Sequence, residues 1–84
     1  MPVLARFYGM VIRMYFQQAE HNPPHVHVIY GEDTAAIPIK EGDLLDGRLP
    51  SKALSMACEW VAMNRDELLD MWETQEFREL SPLE

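Results

Sequence analysis

His25-Val26-His27-Val28-Ile29-Tyr30, followed by Gly31-Glu32-Asp33 and then by Ala35, Ile37 and Ile39, is the stretch whose reading decides the fold. Successive side chains on a strand point to opposite faces. Val26, Val28 and Tyr30 therefore share one side, and His25, His27 and Ile29 share the other. Gly31-Glu32-Asp33 supplies turn chemistry, and Ala35, Ile37 and Ile39 form the apolar side of the next strand. Pro38 has no backbone N–H, so it belongs at an edge or with its nitrogen turned away from a neighbouring strand.

Upstream, Met10, Ile12, Met14 and Phe16 alternate with Val11, Arg13, Tyr15 and Gln17, a strand period over residues 10–17. Gly9 marks a bend ahead of it, which makes residues 3–8 a separate short strand. Between the strands, Asn22-Pro23-Pro24 cannot continue a ladder and reads as a loop. Downstream, Gly42 permits another turn before Leu44 and Leu45.

After Gly47 the period changes. Leu54, Ala57, Cys58 and Val61 recur at helical spacing from a start at Pro50 or Ser51, with Met56, Trp60 and Met63 widening the stripe. Asn64 has the chemistry of a new N-cap, with Glu67 placed for a capping box and Met63 and Leu68 spaced for a hydrophobic staple. The second helix would carry Leu68, Leu69, Trp72 and Leu80 on one face. Both tryptophans, within apolar stripes, read as core residues. The expectation is an α+β fold: a small antiparallel sheet of three to four short strands over residues 3–46, then helices over 51–63 and 65–79 packed on one sheet face.

With 84 residues, 48% of them hydrophobic, the chain has the size of a single domain, 1–84, and enough apolar side chains for a core. No run approaches the length of a membrane span and the N-terminus lacks a secretory pattern, so the cytoplasm is the expected compartment. The lone Cys58 falls in the apolar helical stripe and reads as a buried, reduced thiol. The net charge of −7 is uneven: residues 1–40 balance three bases against three acids, whereas residues 41–84 hold four bases and eleven acids. Such acidity repels phosphate backbones and argues against a nucleic-acid-binding regulator, leaving RNA only as a substrate met on the sheet.

All three histidines lie in His21-Asn22-Pro23-Pro24-His25-Val26-His27. His25 and His27 on one strand face could share zinc or another transition metal, with His21 reaching in from the loop; three histidines plus water is an open catalytic arrangement. A closed structural site would need a fourth ligand from Glu20, Glu32 or Asp33. Without metal, pairing of strand 10–17 with strand 25–30 would gather Arg13, Tyr15, His25 and His27 on one patch. Those groups could orient a phosphate and move protons in RNA cleavage. Alternatively, each imidazole simply donates its N–H to a nearby carbonyl and fixes the loop.

The stretches Gly9-Met10-Val11-Ile12-Arg13-Met14-Tyr15, His21-Asn22-Pro23-Pro24-His25-Val26-His27-Val28 and Tyr30-Gly31 resemble the signature of the bacterial family called domain of unknown function 4160. Leu49-Pro50, Trp60, Glu67-Leu68 and Trp72 match its C-terminal pattern, while Asn64 stands where members often carry histidine. The resemblance implies a small bacterial cytosolic protein, often encoded beside another small domain in an arrangement similar to toxin–antitoxin pairs. It maps Arg13, Tyr15, His21, His25 and His27 onto matching positions without giving them roles. The leading expectation is a protein-interaction module with a partner protein encoded nearby, or with a second copy of itself. The alternative is a metal-dependent or histidine-based hydrolase or ribonuclease.

Overall fold

The computed structural model describes residues 3–14, 23–44 and 46–83. Five strands, β1 Val3–Phe7, β2 Met10–Arg13, β3 His25–Tyr30, β4 Asp33–Pro38 and β5 Asp46–Gly47, precede two helices, α1 Ser51–Met63 and α2 Arg65–Thr74. The strands form one antiparallel sheet in the order β1-β2-β3-β4-β5. The α+β class, the separate strand before Gly9 and the β3–β4 hairpin are as the sequence predicts.

The β1–β2 connection is a two-residue turn in which Tyr8 (φ 54°) and Gly9 (φ 74°) both adopt left-handed backbone. Paired positive φ values match the twist of the flanking strands, which is why tight hairpins use them. Ile12 faces Val28, and Val28 faces Ala35; the neighbouring row joins Val26 to Ile37. These side chains are buried and form the inner face of the sheet. Against them lie Ala53, Ala57, Trp60 and Val61 of α1, at the i, i+4, i+7, i+8 spacing of one helical face, with Leu68 and Met71 of α2.

Four details depart from the sequence reading. The sheet has five strands because Asp46 and Gly47 pair with Ala36 and Ala35. Two residues are too few to show alternation. What fixes them is close approach: Gly47 has φ 86°, and a Cβ there would collide with the Thr34 carbonyl.

Secondly, α2 stops at Thr74 rather than 79. Gln75 turns left-handed (φ 60°), its N–H bonds the Met71 carbonyl at 2.8 Å, and its side chain donates to the Trp72 carbonyl at 2.8 Å. The following residues run back over β1, where Leu80 N–H donates to the Leu4 carbonyl at 2.7 Å and Trp60 Nε1 donates to the Ser81 carbonyl at 2.8 Å. Leu80 thus reaches the core from this tail and not from a helix face.

Thirdly, Asn64 joins the helices without capping α2 through its side chain; Nδ2 instead donates to the Trp60 carbonyl at 2.9 Å. Its backbone (φ −115°, ψ 21°) lacks the extended geometry that aims a cap oxygen at the next N–H groups. Glu67 faces Arg78 at 3.3 Å in place of closing a capping box. Lastly, Met63 is 69% exposed, so the staple with the buried Leu68 is not made and Met63 does not widen the buried stripe. Among the described residues no helix is long and apolar enough to cross a membrane.

Gly47→Ala should cost about 1–3 kcal/mol through loss of the β4–β5 pairing and a disfavoured φ. An unchanged urea midpoint in that variant would show that β5 is not held by close approach.

Candidate functional site

Strand register places the chemistry-bearing residues. Val3, Arg13, His27, Ala36 and Asp46 occupy successive partner positions across the five strands, on the face opposite Val26 and Val28. His25 lies one step along the same face, opposite Pro38. The pairing that the sequence reading supposed therefore brings together Arg13, His25 and His27. Tyr15 and His21, the other site residues named from the sequence, lie outside the described residues.

The two imidazoles touch. Nε2 of His25 and Nε2 of His27 are 3.1 Å apart, with the rings edge to face at a centroid separation of 4.8 Å. Nδ1 of His25 is 2.9 Å from the Pro23 carbonyl oxygen, which can only accept. In the neutral pair, Nδ1 of His25 thus carries the hydrogen and donates to Pro23. Its Nε2 accepts from Nε2–H of His27. The expected imidazole-to-carbonyl anchor is present at His25, with the stiff Pro23-Pro24 turn supplying the oxygen.

Trp72 of α2 packs against His25, with ring centroids 5.3 Å apart, while it also contributes to the core. Helical spacing reads Trp72 as a core residue, with an interface anchor as the alternative; its contact with a histidine far back in the chain has no local signature. His27 is half-buried. Burial, and after it the neighbouring His25, lower its pKa below the ordinary value. Beside it, with Thr34, Ala36 and Asp46, opens a shallow pocket of about 150 Å³.

Arg13, the strand partner of His27, has its Nε covered from solvent with no hydrogen-bond partner, the sole such side-chain atom among the described residues. A covered guanidinium nitrogen left unpaired is costly. Among the described residues no group of three or more His, Cys, Asp or Glu side chains is placed to hold a metal ion. His25 and His27 supply two nitrogens, and neither Glu32 nor Asp33 joins them. Cys58 is half-buried, and burial together with the Asp43 carboxylate raises its pKa, which suppresses the thiolate.

A second feature was not legible in the sequence. The rings of Tyr8 and Tyr30 stack nearly parallel, 9° apart in plane and 6.0 Å between centroids, at the turn end of the sheet. Tyr8 is 46% exposed and holds a left-handed backbone, an uncommon conformation for a bulky residue. Gly9 allows the approach, since a Cβ there would meet Tyr30 Cε1 at 3.3 Å.

The lowered pKa of His27 has a defined sign for stability. Between the lowered value and the ordinary one near 6.5, the unfolded chain binds more protons than the folded one. The contribution is fully present above about pH 6.5 and falls away as the pH drops through that window. His27→Gln should flatten the fall in denaturation midpoint; equal slopes in both proteins would contradict the assignment.

Comparison with known proteins adds a single finding about kinship. No curated protein and no solved structure matches the chain. One family model does, over residues 9–73, a span that contains β2 to β4, the Pro23-Pro24 turn, both described histidines and nearly all of the two helices. The chain belongs to the family described as Domain of unknown function (DUF4160).

Proposed function

We propose that this chain is a protein-interaction module for a partner with a basic surface, encoded nearby in the manner of one half of a toxin–antitoxin-like pair. The observation that carries the reading is Tyr8. An exposed tyrosine is stacked on Tyr30 and held in a left-handed turn. Tyrosine is prominent among residues that dominate binding energy, because it contributes large area at low entropic cost. A left-handed backbone costs roughly 1–2 kcal/mol for an ordinary residue, and strain of this kind gathers at functional positions.

Charge supplies the chemistry of the partner. Glu32, in the neighbouring turn, is exposed, and so are Asp66, Glu67, Asp70, Glu73, Glu76 and Glu79 in α2 and the tail. Arg78 offsets two of these through exposed contacts, 3.3 Å to Glu67 and 4.0 Å to Asp70. The remaining field would draw a basic partner and speed its encounter. Tyr8→Asn tests the reading, because asparagine accepts a left-handed turn more readily than tyrosine. Its folding stability should change by less than about 1 kcal/mol, while affinity for the neighbouring gene's product falls by about 2 kcal/mol, roughly thirty-fold. Light scattering that finds no complex between the untagged proteins would sink the proposal, as would undiminished binding by the variant.

A second reading, a histidine-based hydrolase acting on RNA, is favoured by the unpaired Arg13 Nε beside His27. Arginine grips phosphate oxygens, and the imidazole pair could take and return one proton. In-line displacement at phosphorus puts the attacking and leaving oxygens on opposite sides, so two mutually bonded imidazoles would serve one of them. Tyr15 or His21 would have to serve the other. Growth arrest on expression, abolished by His25→Ala in a protein that still folds, is the expected result; arrest that survives the substitution counts against it.

A further inference from the structure

We propose that His25 and His27 are a chelating pair for a divalent late first-row transition-metal ion such as Zn2+, each binding through Nε2. This goes beyond the interaction reading and stands or falls independently of it.

The spacing of the two nitrogens has the dimensions of a shared metal site. Two nitrogens bound to a single ion at about 2.0–2.1 Å lie roughly 2.9 Å apart at a right angle and roughly 3.3 Å apart at the tetrahedral angle. The observed Nε2 separation of 3.1 Å falls between these limits. Ring orientation is a separate check. The centroids stand 4.8 Å apart against 3.1 Å for the nitrogens, so the Nε2 atoms are turned toward each other.

The surroundings have the form that metal-binding histidines use. Nδ1–H of His25 is held by the Pro23 carbonyl at 2.9 Å, which fixes the tautomer and leaves the Nε2 lone pair outward. Trp72 packs against that ring and adds an apolar wall. His27 needs one change: its hydrogen moves from Nε2 to Nδ1, so that the ion takes the place now filled by the bridging hydrogen. No proton is released in that exchange, because both rings start and finish neutral. Imidazole pairs suit zinc, copper and nickel better than magnesium or calcium, whose preference is for oxygen. Water or an added ligand would fill the remaining coordination positions. Arg13, one strand away, favours an anion there.

The test uses the untagged full chain. Zn2+ titration should show one saturable site, with affinity at least tenfold lower in His25→Ala and in His27→Ala, each folded by circular dichroism. Undiminished affinity in the double variant would assign the ion to the acidic surface and overturn the proposal. So would the lack of any saturable binding. Should the variants fail to fold, Cu2+ bound to the unaltered protein decides: its paramagnetic resonance spectrum should carry the splitting of two imidazole nitrogens, and an oxygen-only spectrum would overturn the assignment.

Discussion

The indole of Trp60 is the interaction on which the rest of the structure depends. It is 1% exposed, packs its ring against Phe7 at 6.2 Å, and donates from Nε1 to the Ser81 carbonyl. Its own carbonyl receives both the backbone N–H and the side-chain amide of Asn64. One residue therefore joins the first strand, the first helix, the helix junction and the C-terminal tail. A large aromatic contributes most where it is wholly desolvated and its N–H is satisfied. Both conditions are met, and removing such a side chain opens a void that a chain this small has few other contacts to offset.

That inner face indirectly determines the outer one. Because strand side chains alternate, burying Ile12, Val26, Val28 and Ile37 against the helices forces Arg13, His25 and His27 to the other side. A slip of one residue would put the histidines in the core. The apolar register is thus what gathers a guanidinium and two imidazoles, and the Pro23-Pro24 turn then fixes the first ring. Acidic groups are concentrated on α2 and the tail, while Asp46 joins the histidine face and Trp72 brings α2 against His25.

Much of the fold was legible because it rests on periodicity. The β3–β4 hairpin, α1 and the bend at Gly9 each have a local cause in the sequence. So does the shared face of His25 and His27, which follows from a single intervening valine. The misses have causes as well. β5 is two residues long and exists by contact with β4. The second helix ends at Gln75, where no glycine announces the stop, because Leu80 and Ser81 find partners on Leu4 and Trp60. Asn64 had the right chemistry for a cap but the wrong backbone angles, which depend on how the helices meet.

What the sequence determined by itself is the α+β order of elements, the inner and outer faces of the central strands, and the uneven charge. Each follows from a repeat of two or 3.6 residues or from counting. Tertiary structure alone decided that the histidine nitrogens meet at 3.1 Å, that Trp72 closes on one of them, that the Arg13 Nε is covered without a partner, and that Tyr8 stacks on Tyr30. The physical reason is range. Alternation fixes the direction of a side chain, whereas its distance from another depends on strand register, twist and a tryptophan supplied from a distant helix.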